Sequence, residues 1–393
     1  GERLYVCSLA CRTICDKGLF MAPKLYGYYL DLHAEDFKSA LALVHQRYST
    51  NTFPSWELAQ PFRYLAHNGE INTLKGNLKH MKAREPQLGS PFFEYDMEKV
   101  LPVIQEGGSD SAALDNALEL LSSAGRSIEH SLMMLIPQAW GEKYTIGPDV
   151  RGFFEYHAGL MEPWDGPAAV GFTDGTKIGA LLDRNGLRPA RYTITVDGFM
   201  VFASETGVVE FPADRIVEKG ALRPGEMILV DLAQQRVIKD GELKALCARR
   251  RPYRRWVEEN KIALHGLYNA VAPISPDLTT LTQRQQLFGY TREDIDLILE
   301  PMAKTGHEPV GSMGHDAPLA VFSEKPQLLY AYFKQLFAQI TNPAIDPIRE
   351  ELVMSLMTFI GNPGNILAEV PGNARLIKLK HPILSNEDME RIR

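Results

Sequence analysis

Basic charge is in short supply in this chain: 42 Lys and Arg stand against 49 Asp and Glu, a formal balance of −7. Nonspecific affinity for nucleic acid comes from clustered cations that neutralise phosphates, so nucleic acid is not expected as a partner. The nearest thing to a basic cluster, Arg249, Arg250, Arg251, Arg254 and Arg255, is short and reads as a solvated helix face or an interdomain contact. Long apolar runs are missing too. Nothing approaches the roughly eighteen residues that a spanning helix needs, and the first residues lack the basic-then-apolar layout of a secretory signal. No membrane is expected as a partner, and the expected compartment is the cytoplasm. Cysteine is rare, four in 393 residues, which rules out a disulfide scaffold and suits a reducing compartment. Cys7, Cys11 and Cys15 lie at intervals of four, which would stack them on one face of a helix. Equal spacing, however, matches none of the paired patterns of zinc or iron–sulfur sites. The stretch Leu4–Leu9 has the β-branched and aromatic character of a strand, so small buried thiols are expected and no metal.

What remains is the composition of a globular protein, 45% hydrophobic and 23% charged, on a chain long enough for two domains. Five apolar segments have strand character: Ala168–Phe172, Lys177–Leu182, Arg191–Thr195, Phe199–Ser204 and Met227–Asp231. The dipeptides Asp174-Gly175, Asn185-Gly186 and Asp197-Gly198 between them predict antiparallel hairpins. Ser109–Ser122 carries Ala113, Leu114, Ala117, Leu118 and Leu121 at helical spacing, with Ser109 or Asp110 as its N-cap. The basic stretch Leu246–His265 reads as helical, and Pro273 and Pro276 mark a boundary before a mainly helical last third.

The densest polar constellation is His45-Gln46-Arg47-Tyr48-Ser49-Thr50-Asn51-Thr52, followed by His67-Asn68-Gly69-Glu70-Ile71-Asn72. Arg47 suits a carboxylate, because a guanidinium matches its two oxygens. Asn68 with Gly69 is equipment for an oxyanion hole, a side-chain amide and a backbone N–H converging on one developing charge. Both have plainer readings: Asn-Gly is a common hairpin turn, and Arg47 alone suits a structural ion pair.

Taken together, these segments resemble the class II glutamine amidotransferases and, within them, the glutamate synthase family. The resemblance is carried by Arg47-Tyr48-Ser49-Thr50-Asn51-Thr52-Phe53-Pro54-Ser55-Trp56, by His67-Asn68-Gly69-Glu70, and by Asp183-Arg184-Asn185-Gly186-Leu187-Arg188-Pro189. It continues through Glu308-Pro309-Val310-Gly311-Ser312 and Gln339-Ile340-Thr341-Asn342-Pro343. It implies an α+β fold: an Ntn-hydrolase-like αββα sandwich over residues 1–260, truncated at its N-terminus, then the beginning of an α/β central domain over 261–393. It implies that Arg47, with Thr50 nearby, binds the glutamine α-carboxylate. Asp110 would hold the α-ammonium, with Gly108 allowing close backbone approach, and Asn68 and Gly69 would stabilise the oxyanion. Asn185 and Arg188 would shape a turn beside the site. Asp110 as a simple N-cap stays open.

The parent enzyme so implied hydrolyses glutamine and adds the ammonia to 2-oxoglutarate with reduction. It would use FMN and an iron–sulfur cluster, and draw electrons through a small reductase subunit or from ferredoxin. Neither cofactor is expected in this span, and a plastid location becomes an alternative in a photosynthetic eukaryote. Such amidotransferases use an N-terminal Cys as nucleophile, whose own α-amino group serves as base. Position 1 here is Gly, so the expectation is a piece of the longer enzyme that binds glutamine but is inactive alone. A noncatalytic glutamine- or glutamate-binding module is the alternative.

Overall fold

The computed structural model describes residues 5–48, 52–141, 143–264, 275, 277–307, 309, 318–333, 357–379 and 383–392. They fall into two units, one drawn from Gly1–Leu267 with Ile348–Pro382 and the other from Tyr268–Pro347 with Ile383–Arg393.

After a single helical turn at Leu25–Tyr28, the first unit runs through β1 (Leu65–Gly69), α1 (Leu74–Arg84), α2 (Asp110–Ser123), α3 (Ile128–Leu135) and α4 (Pro148–Ala158). The hairpin-rich middle follows as β2 (Ala168–Thr173), β3 (Lys177–Leu182), β4 (Arg191–Thr195), β5 (Met200–Ala203), β6 (Ile216–Ala221), β7 (Met227–Asp231) and β8 (Arg236–Lys239). A five-stranded antiparallel sheet runs β1-β2-β3-β7-β8, and a three-stranded one runs β5-β4-β6. In β2 the period-2 alternation sends Ala168, Val170 and Phe172 into the core. Between β2 and β3 the turn is held by Asp174 Oδ1, which accepts from the backbone N–H groups of Thr176 at 2.8 Å and Lys177 at 2.9 Å. The core lies between this sheet and the helices: Leu114, Leu118 and Leu121 of α2 and Ile128, Leu132, Met133, Met134 and Leu135 of the buried α3 share one apolar cluster with Leu65, Val170 and Phe172. The class is α+β.

α5 (Asp240–Arg249) and α6 (Tyr253–Asn260) replace the continuous helix expected over Leu246–His265, because Pro252 lacks the N–H a helix would use there. A returning segment, 357–379, closes the unit. Its Ile366, Leu367 and Ala374 join the core, and Arg126 Nη2 donates to the Ile366 carbonyl at 2.5 Å. Its β10 (Thr358–Ile360) and β11 (Ile377–Leu379) make a small sheet with β9 (Ile262–Ala263). The described part of the second unit is helical, with α7 (Leu281–Leu287), α8 (Glu300–Thr305) and α9 (Asn386–Ile392). Among the described residues no helix is long and apolar enough to cross a membrane.

One expectation fails outright. Residues 5–9 form no strand, and Cys11 is exposed while Cys7 and Cys15 are half-buried; among the described residues Cys247 is the buried thiol. Strand character is realised only where a neighbouring strand completes the ladder, and among the described residues none pairs with this segment.

Candidate functional site

The site is organised by β1, which forms one edge of the five-stranded sheet. Antiparallel pairing turns the N–H and C=O groups of alternate residues away from the partner strand, and in β1 these belong to Leu65, His67 and Gly69. Asp115 Oδ1 on α2 takes the Leu65 N–H at 3.1 Å and the Tyr64 N–H at 2.9 Å, while its Oδ2 takes the Arg63 N–H at 3.2 Å. Gln60 takes both groups of His67: Oε1 accepts its N–H at 2.6 Å and Nε2 donates to its carbonyl at 2.9 Å. The Gly69 N–H comes next in the same row. Asn68 and Gly69 are therefore the last two paired residues of a strand, and the hairpin-turn reading of Asn-Gly does not apply. Asn68 is exposed, and its amide makes no hydrogen bond among the described residues.

Asp110 is the first residue of α2, and Ser109 is its cap, the Ser109 hydroxyl accepting the Ala112 N–H at 3.1 Å. That frees the Asp110 carboxylate from the N-cap role. Its Oδ2 accepts the Ile71 N–H at 2.9 Å, two residues beyond Gly69, and its Oδ1 accepts the Ser111 N–H at 2.7 Å. A carboxylate in the first turn also meets the positive end of the helix dipole. His67 lies beneath, with Nδ1 2.8 Å from Ser111 Oγ and 4.0 Å from Asp110 Oδ2. Ser111 Oγ is 3.3 Å from Asp110 Oδ1, so the consistent proton assignment runs from His67 Nδ1–H to Ser111 Oγ–H to Asp110. Burial pushes the His67 imidazole down to about 4, against the pull of Asp110, and the ring is neutral.

Arg47 is exposed and makes no ion pair among the described residues, so the structural-ion-pair reading has no support there. Its carbonyl accepts the Gln60 N–H at 3.3 Å, and the next residue, Tyr48, bridges to Ala59. Gly108 immediately precedes the Ser109 cap, and Gly107 supplies the positive φ of 76° that turns the chain into it. Thr50 lies outside the described residues. Asp110 is thus tied through the Ile71 N–H to the strand end bearing Asn68 and Gly69, and the backbone of Arg47 is tied through Gln60 to His67 of the same strand. Gln60 and Ser111 bond to His67 and Asp115 holds the start of the strand; sequence reasoning missed Gln60, Ser111 and Asp115, and had His67 only as part of its motif. Only Asp115 left a signal, a charged residue interrupting the apolar face of α2.

A turn is present at Asn185-Gly186, built by Asp183, but no hairpin forms there, because β3 and β4 on either side of it belong to different sheets. The Asp183 carbonyl accepts the Gly186 N–H at 3.0 Å, and its carboxylate accepts the N–H groups of Asn185 at 3.0 Å and Leu187 at 3.2 Å. The adjacent Arg184 makes a buried fork to Asp165, at 2.8 and 2.9 Å. Arg188 keeps a buried Nε with no hydrogen-bond partner among the described residues.

Among the described residues one cluster has metal-ligand composition: His130, His157 and Glu369, with ligand atoms within 4.8 Å of one another. The hydrogen bonds account for it without an ion. His157 Nδ1 donates to the Phe153 carbonyl at 2.8 Å, so its Nε2 is the acceptor for His130 Nε2–H at 2.9 Å, and a proton fills the gap. Glu369 is bonded by the Tyr253 hydroxyl at 2.6 Å and flanked by Arg126 and Arg251. A cavity of about 560 Å³ in this unit is lined by His157 of that cluster with Asn77, His80, Arg84, Trp140 and Phe359 among others, and Arg47, Asn68, Gly69, Gly108 and Asp110 do not line it.

Comparison with known proteins adds the following. The sequence model described as "Glutamine amidotransferases class-II" matches residues 1–256, and that described as "Glutamate synthase central domain" matches residues 283–393. The glutamate synthase (NADPH) large chain of Bacillus subtilis is 51% identical over 387 residues, 98% of this chain and 25% of that protein. Ferredoxin-dependent glutamate synthase 2 of Synechocystis is 48% identical over 396 residues, 100% of this chain and 25% of that one. The chloroplastic ferredoxin-dependent enzyme of Spinacia oleracea is 47% identical over 393 residues, covering 99% and 24%. The chain therefore spans about a quarter of the length of these relatives. A solved class-II domain protein from Silicibacter pomeroyi is 16% identical, covers 44% of this chain and 65% of its own, and superposes with a TM-score of 0.25, too slight a likeness to carry an argument.

Proposed function

The chain belongs to the class II glutamine amidotransferases, and from that membership we propose that it binds glutamine as part of a longer glutamate synthase. Arg47 holds the α-carboxylate, with Thr50 beside it, and Asp110 holds the α-ammonium, with Gly108 giving room. A zwitterionic amino acid needs one cationic and one anionic anchor, set apart so that its side chain reaches the reacting centre. The Asn68 amide and the Gly69 N–H then receive the charge that develops on the carboxamide oxygen. The observation that supports this most is the 2.9 Å bond from the Ile71 N–H to Asp110, which ties the anionic anchor to the strand end bearing Asn68 and Gly69.

By itself the chain is proposed to bind glutamine without hydrolysing it. Burial pushes the Cys15 thiol up to about 11 and the Cys247 thiol up to about 12, so neither is a thiolate at neutral pH. In the longer enzyme the released ammonia is added to 2-oxoglutarate, with FMN supplying the reduction and an iron–sulfur cluster relaying electrons. The cysteines here do not fit a cluster: Cys247 is in the core and the other three are evenly spaced, so the cluster is assigned outside this span. Electrons come from a pyridine nucleotide through a small reductase subunit or from ferredoxin, the two donors named among the relatives, and the cytoplasm or a plastid is the setting. The division between amidotransferase and central domains is placed near residue 260. Calorimetric titration of glutamine into the chain tests the site: Arg47→Ala should abolish binding, and an unchanged affinity would remove Arg47 from it.

A further inference from the structure

We propose that Gln60 is a positioning residue that sets the spacing between the cationic and anionic anchors of the site. The inference rests on the glutamine-binding reading above. Gln60 is buried, 6% exposed, and is bonded at both ends. Its backbone N–H donates to the carbonyl of Arg47, and its side-chain amide imitates a strand neighbour to His67, accepting the N–H and donating to the carbonyl. The His67 carbonyl belongs to the peptide that leads into Asn68, so the Gln60 amide fixes the rotation with which Asn68 leaves the strand. From His67 the chain of contacts continues through the ring to Ser111 and Asp110. One residue therefore stands between the loop of Arg47 and the connection to Asp110.

No other amide or hydroxyl side chain serves as well at this position. Leu or Met fills the volume but leaves a buried N–H and a buried carbonyl of the strand edge unpaired. Asn is one methylene too short to meet both groups of His67 while its own backbone stays on Arg47. Glu keeps the acceptor for the N–H and loses the donor to the carbonyl.

The test compares three ligands by calorimetry or competition: glutamine, 4-carbamoylbutanoate, which lacks the α-ammonium, and 4-aminobutanamide, which lacks the α-carboxylate. Gln60→Leu should weaken glutamine about tenfold, the equivalent of one well-placed hydrogen bond, while changing either single-anchor ligand less than about twofold. A ligand held by one anchor does not sense the distance to the other. Equal loss for all three ligands would make Gln60 merely structural, and unchanged glutamine affinity would remove its role; either overturns the proposal. Gln60→Glu, measured alongside with circular dichroism as the folding control, keeps one of the two bonds and should fall between wild type and Gln60→Leu for glutamine alone. If Gln60→Leu fails to fold, the same ligand comparison on Gln60→Glu decides. A wild-type chain that binds glutamine with Arg47 and Asp110 both dispensable would overturn the site reading itself, and the spacing role with it.

Discussion

Gly69 crosses Pro167 at backbone distance: a Cβ placed on Gly69 would lie 1.7 Å from the Pro167 carbonyl oxygen. The Glu70 N–H donates to that same oxygen at 2.9 Å, and a Cβ on Gly166 would fall 1.9 Å from the Glu70 carbonyl oxygen. Two glycines let the chains meet with no side chain between them. Gly69 also has a φ of 139°, where L side chains are strained. Gly69→Ala is therefore expected to cost about 3 kcal/mol or more of unfolding free energy, from strain and clash together. Urea unfolding measures it, and a loss below about 1 kcal/mol would contradict the crossing.

Why that crossing was not legible beforehand follows from what a sequence shows. Asn68-Gly69 has the composition of a hairpin turn, and Asp174-Gly175, which really is one, looks the same. The difference lies in the partner: Gly69 needs its freedom because of Pro167, about a hundred residues away in sequence. Periodicity did locate α2 and the five anticipated strands, because those signals are local. Leu4–Leu9 had the same local signal and forms no strand over its described residues, lacking a neighbour. Arg47 and Asn68 were singled out from their chemistry, and the family resemblance gave them and Asp110 their proposed roles. Gln60 and Ser111 were not, since their work is in hydrogen bonds to distant backbone and side chains.

Acid should destabilise the first unit. Burial holds His67 at about 4 and His157 at about 3, and pushes His130 well below its ordinary value, so all three are neutral when folded. Unfolded, they take up protons below about pH 6.5. Their stabilising contribution is complete above that pH and is lost as pH falls toward the folded values. Asp115 acts with the opposite sign: burial pushes it up to about 7, so it keeps a proton that the unfolded chain releases near pH 4. Three histidines outweigh one carboxyl, giving near pH 5 a net loss of roughly 2 to 3 kcal/mol per pH unit of acidification. Thermal melting across pH 5 to 7.5 checks the slope, and Asp115→Asn should steepen it by removing the opposing group.

Arg184 and Asp165 form a buried fork, and Asp165 also carries the turn after the strand end, its carbonyl accepting the Asn72 N–H at 2.7 Å. Arg184→Leu leaves the carboxylate uncompensated and is expected to cost about 3 to 5 kcal/mol. Replacing both, Arg184→Leu with Asp165→Leu, should cost less than Arg184→Leu alone, because no stranded charge remains. A double-mutant cycle in urea reads the difference. If the double replacement is the worse of the two, the charge pair is not what holds the turn.

Asp110 separates binding from folding, because its two jobs use different properties of the carboxylate. Holding the Ile71 N–H requires only an acceptor oxygen, which Asn retains, whereas holding an ammonium requires the negative charge. Asp110→Asn keeps that oxygen but turns its NH2 toward the Ser111 N–H that Oδ1 accepts, so it should cost about 1 to 2 kcal/mol of stability, less than Asp110→Ala. Its glutamine affinity should nonetheless drop by about thirtyfold or more, the worth of a charge-assisted bond of roughly 2 kcal/mol. Asp110→Ala should lose both, with the Ile71 N–H left unpaired at the strand end and a further 1 to 3 kcal/mol, approximately, of stability gone. Urea unfolding and calorimetry on the same three proteins distinguish the two roles. Wild-type glutamine affinity in a folded Asp110→Asn would show that the carboxylate serves the strand and not the ligand.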